Sequence, residues 1–274
     1  MKLGMIGTGV MAGAMLRAAV GSGVLEPQDI ILYDKNAQAA QAAAKASGAQ
    51  IALSAAALVE RSDIVQFGVK PQDLPALLAS LGGALKARNP LIISIAAGVE
   101  LAGISRALPY APRAVRLMPN INATVGEAIT AYCPTESVST EELAFVERYC
   151  ASFGKALRLE ERYFSAFLAM GSSAPAFVYL FIDELARAGV TVGLGKAQAL
   201  EIAAQTVLGS AKQVAESGRH PYELIDKVCS PGGTTIAGIN VLRENRFAHA
   251  ISQAVQASYR RDRELGNEQL TINN

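Results

Sequence analysis

The sequence contains few of the residues on which metal and nucleophilic chemistry depend. Its 274 residues include three cysteines, two histidines and no tryptophan. Cys133, Cys150 and Cys229 are too scattered for a disulfide framework or a Cys-x-x-Cys metal site, which favours a reducing compartment, the cytoplasm. His220 and His249 have no cysteine or carboxylate pattern around them. We therefore expect neither a metal site nor a Ser-His-Asp triad.

The sequence also lacks an excess of charge of either sign. Lys and Arg number 25, Asp and Glu number 24, and no long basic run occurs. We expect no nucleic acid and no membrane as partner, because little attracts phosphate backbones or anionic lipid. One uncharged run, Tyr163 to Ile182, has the length of a membrane span, but Gly171 and Pro175 interrupt it. The run predicts a buried helix that is broken near Pro175.

Apolar residues are abundant, at 51%, and this share excludes a disordered chain. In the first half, short β-rich runs alternate with alanine-rich helical stretches, which predicts an α/β domain with an open, mostly parallel, doubly wound sheet over residues 1–161. The strands are predicted at Leu3–Ile6, Ile30–Tyr33, Ile64–Val69, Leu91–Ile95, Ala114–Met118 and Ala128–Tyr132.

From about Arg162 the β signal disappears and apolar residues follow the helical period. Leu200, Ala204, Val207 and Leu208 are one example of this spacing. The pattern predicts an all-helical second domain over residues 162–274. Helices this apolar exceed what one thin layer can bury, so we expect part of their surface to be covered in a homodimer.

A glycine motif follows the first predicted strand and opens the first helix. Gly7-Thr8-Gly9-Val10-Met11-Ala12 matches G-x-G-x-x-A, in which the first glycine permits a tight turn and the second lets a pyrophosphate approach the backbone. The second strand ends at Asp34, whose carboxylate can accept the adenosine ribose 2′-hydroxyl of NAD and would repel the 2′-phosphate of NADP. Lys35 could offset part of that repulsion. The motif predicts a nicotinamide dinucleotide, NADPH or NADH, and Asp34 favours NADH.

Three further strand ends and one late loop are candidates for the rest of a site. The strand ends are Gly68–Gln72, Ser94–Gly98 and Arg116–Asn120, which lie where ligands bind in doubly wound folds. The late loop, Cys229-Ser230-Pro231-Gly232-Gly233-Thr234-Thr235, precedes an apolar helix. Glycines before a helix expose backbone N–H groups, and hydroxyls add further hydrogen-bond donors. This loop is therefore a candidate binding site for a substrate carboxylate. An ordinary Ser/Thr helix cap is the alternative.

In this order, the glycine motif, VKPQ, SIAAG, MPN and SPGGTT resemble those of the pyrroline-5-carboxylate reductases, from end to end of the chain. The resemblance implies that NAD(P)H reduces L-1-pyrroline-5-carboxylate to L-proline, the last step of proline biosynthesis. It also implies a Rossmann domain, a helical dimerisation domain and often a decamer built from five dimers.

The same resemblance assigns roles to residues. It implies that the pyrophosphate is held by Gly7, Gly9, Val10 and Met11, and that the cofactor near its nicotinamide is lined by Val69, Lys70, Pro71, Ala96 and Ala97. The turn of Gly232, Gly233, Thr234 and Thr235 would hold the substrate carboxylate, with the amide of Thr234 as donor. The Thr235 hydroxyl would point at the ring nitrogen, with Ser230 nearby as a second candidate catalytic residue.

Some positions depart from the family pattern. Asp34 stands where NADP-preferring members often have a small hydroxyl residue, and Ala55 where many have Asn. MPN continues as Ile121-Asn122 rather than Thr-Pro, and Met170–Phe177 replaces a motif close to SGSGPAY. These changes leave another cyclic imine acid as an alternative substrate.

Two other functions stay open beside the reductase. A non-enzymatic dinucleotide-binding relative is supported by the altered Met170–Phe177 segment. A β-hydroxyacid dehydrogenase is disfavoured, since that family resemblance requires a Lys and an Asn on the first long helix, and Tyr163–Leu185 contains neither.

Overall fold

A computed structural model describes the backbone of residues 1–272 and the side chains of residues 1–265. The chain divides into two compact units. Unit 1 comprises Met1–Ser172 and the end of the chain from Arg261, and unit 2 comprises Ser173–Arg260. The sequence-based boundary at residue 161 stays a prediction.

Unit 1 is built on one eight-stranded sheet. The strands are β1 (Leu3–Ile6), β2 (Ile30–Tyr33), β3 (Gln50–Ile51), β4 (Ile64–Phe67), β5 (Leu91–Ser94), β6 (Ala114–Met118), β7 (Ala128–Pro134) and β8 (Gly154–Arg158). Their order is β3-β2-β1-β4-β5-β6-β7-β8. The first six are parallel, β7 is antiparallel to β6, and β8 is parallel to β7. The strand order reverses beside β1, and this is the point where ligands bind in doubly wound sheets.

Helices flank this sheet. They are α1 (Val10–Gly21), α2 (Ala37–Ser47), α3 (Ala55–Glu60), α4 (Leu74–Arg88), α5 (Leu101–Arg106), α6 (Thr140–Ala151) and α7 (Phe164–Phe167), followed by a π-helical turn at Leu168–Ser172. Local chemistry sets the ends of α2: the Asn36 side chain accepts the amide N–H groups of Gln38 and Ala39, and Gly48 ends the helix at φ 75°. Ser139 and Glu142 form a reciprocal capping box at the start of α6.

The core of unit 1 occupies both faces of the sheet. Leu3 and Met5 of β1 belong to one buried cluster with Met15 of α1, and Ile6 of the same strand belongs to a second with Leu78 of α4. Because successive side chains of a strand point to opposite faces, a strand buried on both sides is mostly apolar, and a buried polar residue such as Gln66 of β4 needs a partner, here the Tyr149 hydroxyl. This explains why the strands read as short, continuous apolar runs.

Unit 2 is helical. Its elements are α8 (Ala174–Thr191), α9 (Lys196–Ser217), α10 (Pro221–Val228), α11 (Thr234–Glu244) and the first part of α12 (Phe247–Ile272). The described buried core is small and consists of Ala186, Ala199 and Ala203, with Ile182 packed against it. Gly189 permits the close approach of α8 and α9, because a Cβ there would lie 3.2 Å from the Cβ of Ala199.

Large apolar side chains of unit 2 are exposed in a single chain. Leu180 is 62% exposed, Leu208 60% and Val192 82%. By length and composition alone, the helical stretch Glu161–Thr191 could also cross a membrane. The predicted break near Pro175 is confirmed, since the π turn separates α7 from α8. The predicted burial holds for only part of the run: Phe164 and Phe167 of α7 are buried, whereas α8 exposes large side chains such as Leu180.

The predicted fold class is confirmed, and the predicted strands lie where expected to within two residues. The sequence analysis missed β3 and β8. Gln50–Ile51 has only two residues, and Gly154–Arg158 carries Lys155 and Arg158 on an exposed edge, so neither stretch has the apolar run that identified the other strands.

Candidate functional site

The turn between β1 and α1 has the geometry of an anion cradle. Gly7 has φ 91°, and a Cβ on it would lie 2.7 Å from the carbonyl carbon of Gly68, so only glycine fits this position. Gly9 is the N-cap of α1, and a Cβ there would meet no atom within 4 Å. The space over Gly9 is therefore open to a ligand.

The residues present fit a dinucleotide pyrophosphate. No side chain caps the first turn of α1, and that turn carries no acidic residue. Its amide N–H groups therefore keep their capacity to bind an anion at the positive end of the helix. Val10, the first residue of α1, is 74% exposed.

Asp34 joins the end of β2 to the glycine turn. Its Oδ2 accepts the backbone N–H of Thr8 at 2.7 Å and the Thr8 hydroxyl at 3.0 Å, and its Oδ1 accepts the N–H of Asn36 at 2.9 Å. Partial burial tends to raise the pKa of this carboxyl, but the hydrogen bonds from Thr8 and Asn36, with Lys35 nearby, lower it below 3.8. These hydrogen bonds therefore fix Asp34 as an ionised carboxylate, and its Oδ1 can accept a second hydrogen bond.

Two more cofactor candidates follow β4 and β5. Lys70 is exposed after β4, and next to it Lys35 and Asp73 form an ion pair at 3.0 Å. After β5, Ala96 is buried and donates its N–H to the Ser94 hydroxyl at 3.3 Å, whereas Ala97 is exposed. The structure therefore brings the predicted cofactor residues to one edge of the sheet, at the carboxyl ends of β1, β2, β4 and β5.

An ion pair between a buried arginine and a partly exposed glutamate joins the segments beside this edge. Arg116, near the end of β6, donates to Glu161 at 2.9 Å and lies 4.6 Å from the ring centre of Phe164. The same Glu161 oxygen accepts the N–H of Leu101, the first residue of α5, at 2.8 Å. The sequence analysis missed Glu161, because a lone acid after a short edge strand carries no local signal.

The MPN segment also makes a contact that was not foreseen. Asn120 is buried at the carboxyl end of β6, and its Nδ2 donates to the carbonyl oxygen of Gly171 in the π turn at 2.8 Å. The sequence analysis noted Asn120 only as part of a strand end. Its position directly after a buried strand, before a short polar turn, was the available signal.

The predicted substrate loop lies in unit 2. Gly232 has φ 67°, and the Gly233 N–H donates to the Ser230 carbonyl oxygen at 3.0 Å, which closes a tight turn. A Cβ on Gly233 would collide with the Ser230 hydroxyl. Gly233 is the N-cap of α11 and provides no side chain, so the amides of Thr234 and Thr235 open the helix without an internal cap. This arrangement suits a carboxylate ligand.

The predicted site residues thus fall into two groups. The cofactor candidates lie together in unit 1, and Ser230, Gly232, Gly233, Thr234 and Thr235 lie together in unit 2. Each group has the backbone geometry of an anion site. Thr8, which the sequence analysis treated only as a spacer of the glycine motif, is the residue that holds Asp34.

Two family models match the chain. The model described as pyrroline-5-carboxylate reductase dimerisation matches residues 161–265, and the one described as NADP oxidoreductase, coenzyme F420-dependent, matches residues 2–98. A pyrroline-5-carboxylate reductase of a Synechocystis species is 39% identical over 97% of this chain and 99% of its own length.

Two solved structures resemble the chain over nearly its whole length. The 1-pyrroline-5-carboxylate reductase of Streptococcus pyogenes has a TM-score of 0.84 and 35% identity, covering 96% of this chain and 98% of its own. The pyrroline carboxylate reductase of Plasmodium falciparum, solved with NADP bound, has a TM-score of 0.85 and 27% identity, covering 97% of this chain and 98% of its own.

Proposed function

The chain belongs to the pyrroline-5-carboxylate reductase family, and we propose that the two residue groups described above carry the family reaction in this protein. The reaction is the reduction of L-1-pyrroline-5-carboxylate to L-proline with a nicotinamide dinucleotide, the last step of proline biosynthesis. The observation that carries the assignment of residues is the pair of uncapped, glycine-led helix starts, one at Gly9 and one at Gly233.

We propose that unit 1 holds the cofactor. When bound, a reduced nicotinamide supplies the hydride for the imine carbon. Gly7, Gly9, Val10 and Met11 bind the pyrophosphate. The nicotinamide half would be held at the ends of β4 and β5, by Val69, Lys70, Pro71, Ala96 and Ala97. The supporting facts are the open space over Gly9 and the shared sheet edge of these residues.

The loop in unit 2 holds the substrate in this proposal. The amide of Thr234, with its neighbours in the turn Gly232–Thr235, receives the carboxylate, which helps to orient the ring. The Thr235 hydroxyl donates to the ring nitrogen, which gains a proton as the imine carbon gains hydride, and Ser230 assists from the same turn. No strong base is required, because proton donation from a hydroxyl, from water or by prior protonation completes the reaction.

The protein forms a homo-oligomer, as the matched dimerisation domain indicates. We propose a dimer built on unit 2, because the exposed apolar side chains of α8 and α9 need a covering surface. Following the family resemblance, we propose that five such dimers form a decamer. We place the enzyme in the cytoplasm, on the basis of its three free, scattered cysteines.

We propose that NADH is the preferred cofactor. Asp34 lies at the end of β2, where the Thr8 N–H donates to its carboxylate and its pKa is lowered. An ionised carboxylate at this position favours a ribose hydroxyl over a phosphate. Lys35 forms an ion pair with Asp73, which reduces the attraction that its positive charge could exert on a phosphate. Asp34→Ser should shift the ratio of kcat/KM values toward NADPH by about tenfold. An unchanged ratio would remove Asp34 from cofactor choice.

Steady-state oxidation of NADH and NADPH with pyrroline-5-carboxylate tests the function directly. Turnover with the five-membered imine, well above that with a six-membered cyclic imine acid or an acyclic 3-keto acid, is the expected result. No turnover from a folded protein that binds dinucleotide would contradict the proposal. Faster turnover of the six-membered imine would instead assign the substrate to the alternative class.

A further inference from the structure

The residue between the first two glycines of the β1–α1 turn makes more contacts than a spacer requires. The register of β1 and β2 pairs Ile6 with Tyr33, and the Gly7 N–H donates to the Tyr33 carbonyl oxygen at 2.8 Å. The next residues of the two segments, Thr8 and Asp34, are thereby brought together. Both donors of Thr8 reach one carboxylate oxygen, since its N–H lies 2.7 Å and its hydroxyl 3.0 Å from Asp34 Oδ2.

These contacts leave the Asp34 carboxylate with one open acceptor site. A carboxylate oxygen accepts about two hydrogen bonds, so the two donors of Thr8 fill Oδ2. Oδ1 accepts one hydrogen bond, from the Asn36 N–H at 2.9 Å. Of the side chains that the structure describes, that of Thr8 alone donates a hydrogen bond to Asp34. The Thr8 hydroxyl therefore governs how firmly Oδ1 is held toward a ligand.

The surroundings strengthen this hydrogen bond. Thr8 is 8% exposed, so water competes little for its hydroxyl. Its acceptor is a charged group, and hydrogen bonds to charged groups are stronger than those between neutral groups. The neighbouring cation, Lys35, has an 85% exposed side chain and is paired with Asp73, so it restrains Asp34 much less.

We propose that the Thr8 hydroxyl positions Asp34 for the cofactor and thereby sets how strongly the protein selects NADH over NADPH, a role that rests on the preference proposed for Asp34. Because Oδ2 is filled, Oδ1 is the oxygen that accepts the 2′-hydroxyl of the adenosine ribose. A 2′-phosphate at that place meets a fixed negative charge. Without the Thr8 hydroxyl the carboxylate can turn away, which weakens the hydrogen bond to the ribose and the repulsion of the phosphate together.

Equilibrium binding tests this role without turnover. Dissociation constants for NADH and NADPH are measured by calorimetry on the wild type, on Thr8→Val, which replaces the hydroxyl by a methyl group, and on Thr8→Ser, which keeps it. The ratio Kd(NADPH)/Kd(NADH) should fall about three- to fivefold in Thr8→Val and stay near the wild-type value in Thr8→Ser. A wild-type ratio in Thr8→Val, or an equally low ratio in Thr8→Ser, would overturn the role of the hydroxyl.

A double-mutant cycle shows whether Thr8 acts through Asp34. In the Asp34→Ser background the carboxylate is absent, so the addition of Thr8→Val should leave the ratio of dissociation constants unchanged. A further fall as large as that in the single variant would contradict positioning through Asp34.

Thr135→Val is the matched control for the loss of a bonded threonine hydroxyl. The Thr135 hydroxyl accepts the N–H of Ala114, the first residue of β6, at 3.0 Å, so it lies at the opposite edge of the sheet from the glycine turn. Thr135→Val should keep the wild-type ratio of dissociation constants. A fall equal to that of Thr8→Val would show that general loosening of unit 1, and not the position of Asp34, changes cofactor choice.

A second pair of variants keeps the test decisive if Thr8→Val does not fold. Thr8→Ala and Thr8→Ser differ only in the hydroxyl, and urea denaturation verifies that each is folded. Thr8→Ala should show a ratio about threefold or more below that of Thr8→Ser. Equal ratios in this pair would overturn the role of the hydroxyl.

Failure of this role and failure of the proposed function give different results. A protein that does not reduce pyrroline-5-carboxylate but shows the expected fall in Thr8→Val would keep the role of Thr8 and lose the assigned reaction. A protein whose ratio shifts in Asp34→Ser and not in Thr8→Val would keep the preference proposed for Asp34 and lose the role of Thr8.

Discussion

Unit 1 and unit 2 differ in where their apolar side chains are buried. In unit 1, both faces of the sheet are covered by helices of the same chain, and β1, β4 and β5 are entirely buried. In unit 2, the described buried core is three alanines, while side chains such as Leu180 and Leu208 face outward. Unit 1 therefore buries its apolar side chains within one chain, whereas unit 2 leaves large apolar side chains exposed, as expected of a surface that a second subunit covers.

The candidate anion sites of the two units differ in how their glycine turns are held. The turn at Gly7 is locked by contact with Gly68 and by Thr8 and Asp34, all within unit 1. The turn at Gly232 and Gly233 is closed by a local hydrogen bond to Ser230. We therefore expect changes in unit 1 to act through folding or cofactor binding, and changes in unit 2 to act through assembly or substrate binding.

The largest effect is expected from Gly7→Val. A Cβ there would lie 2.7 and 2.8 Å from the carbonyl carbon and oxygen of Gly68, and φ 91° disfavours any side chain. We expect a loss of about 3 kcal/mol or more of unfolding free energy, measured by urea denaturation, together with loss of NADH binding.

Gly9→Ala is the matched variant for Gly7→Val. Its φ of −63° suits alanine, and its Cβ meets no described atom within 4 Å. Folding should be unchanged, whereas NADH affinity, measured by fluorescence titration, should fall about tenfold or more because the methyl group occupies the pyrophosphate space. Normal NADH binding by Gly9→Ala would contradict the proposal that the turn at Gly7 and Gly9 binds the pyrophosphate.

Leu180→Glu should separate the subunits. Leu180 is 62% exposed in one chain, and a buried interface carboxylate without a partner costs more than the roughly 1.5–3 kcal/mol of a lost leucine contact. Sedimentation velocity over a concentration series should show a shift to smaller species. Leu53→Glu in unit 1, at a site 99% exposed, is the control and should leave the assembly unchanged. Identical sedimentation of the two variants would contradict the proposal that the subunits associate through unit 2.

Thr235→Ala should affect catalysis alone. Loss of the hydroxyl near the ring nitrogen is expected to lower kcat/KM for the imine by about 10- to 100-fold, with the dissociation constant for NADH unchanged. Thr191→Ala, which removes an exposed hydroxyl that donates to the Arg187 carbonyl in the same unit, serves as the control. A kcat/KM for Thr235→Ala equal to that of the control would remove Thr235 from the mechanism.

The smallest effect is expected for the pH dependence contributed by Asp34. Its pKa is lowered from 3.8 on folding, so the ionised carboxylate stabilises unit 1 fully above pH 3.8, and this contribution is lost as the pH falls through the lower folded pKa. Relative to wild type, Asp34→Asn should lose about 1 kcal/mol at pH 7 after allowance for solvent screening.

Urea unfolding of the wild type and Asp34→Asn between pH 3 and pH 7 measures this difference, which should shrink only in the acid range. A difference that is constant down to pH 3 would show that the charge of Asp34 has no role in holding the glycine turn.

Much of the fold and of the candidate cofactor site follows from local sequence signals. The apolar runs of β1 and β4, the G-x-G-x-x-A motif and Asp34 after β2 all have short-range physical causes, namely two-sided burial, a positive φ and a strand end. The strands β3 and β8 were missed because they are short or exposed at an edge. Glu161 was missed because its partners, Leu101 and Arg116, are distant along the chain.

The sequence by itself determined the alternation of strands and helices and the glycine turns, because each of these depends on neighbours within a few residues. It also determined the family, because the family motifs follow one another in order along the chain. Only the tertiary structure decided that Thr8 holds Asp34, that Glu161 joins Arg116 to the start of α5, and that Asn120 reaches Gly171. These contacts join residues 26 to 60 positions apart, and no local pattern specifies which distant donor a buried acceptor will meet.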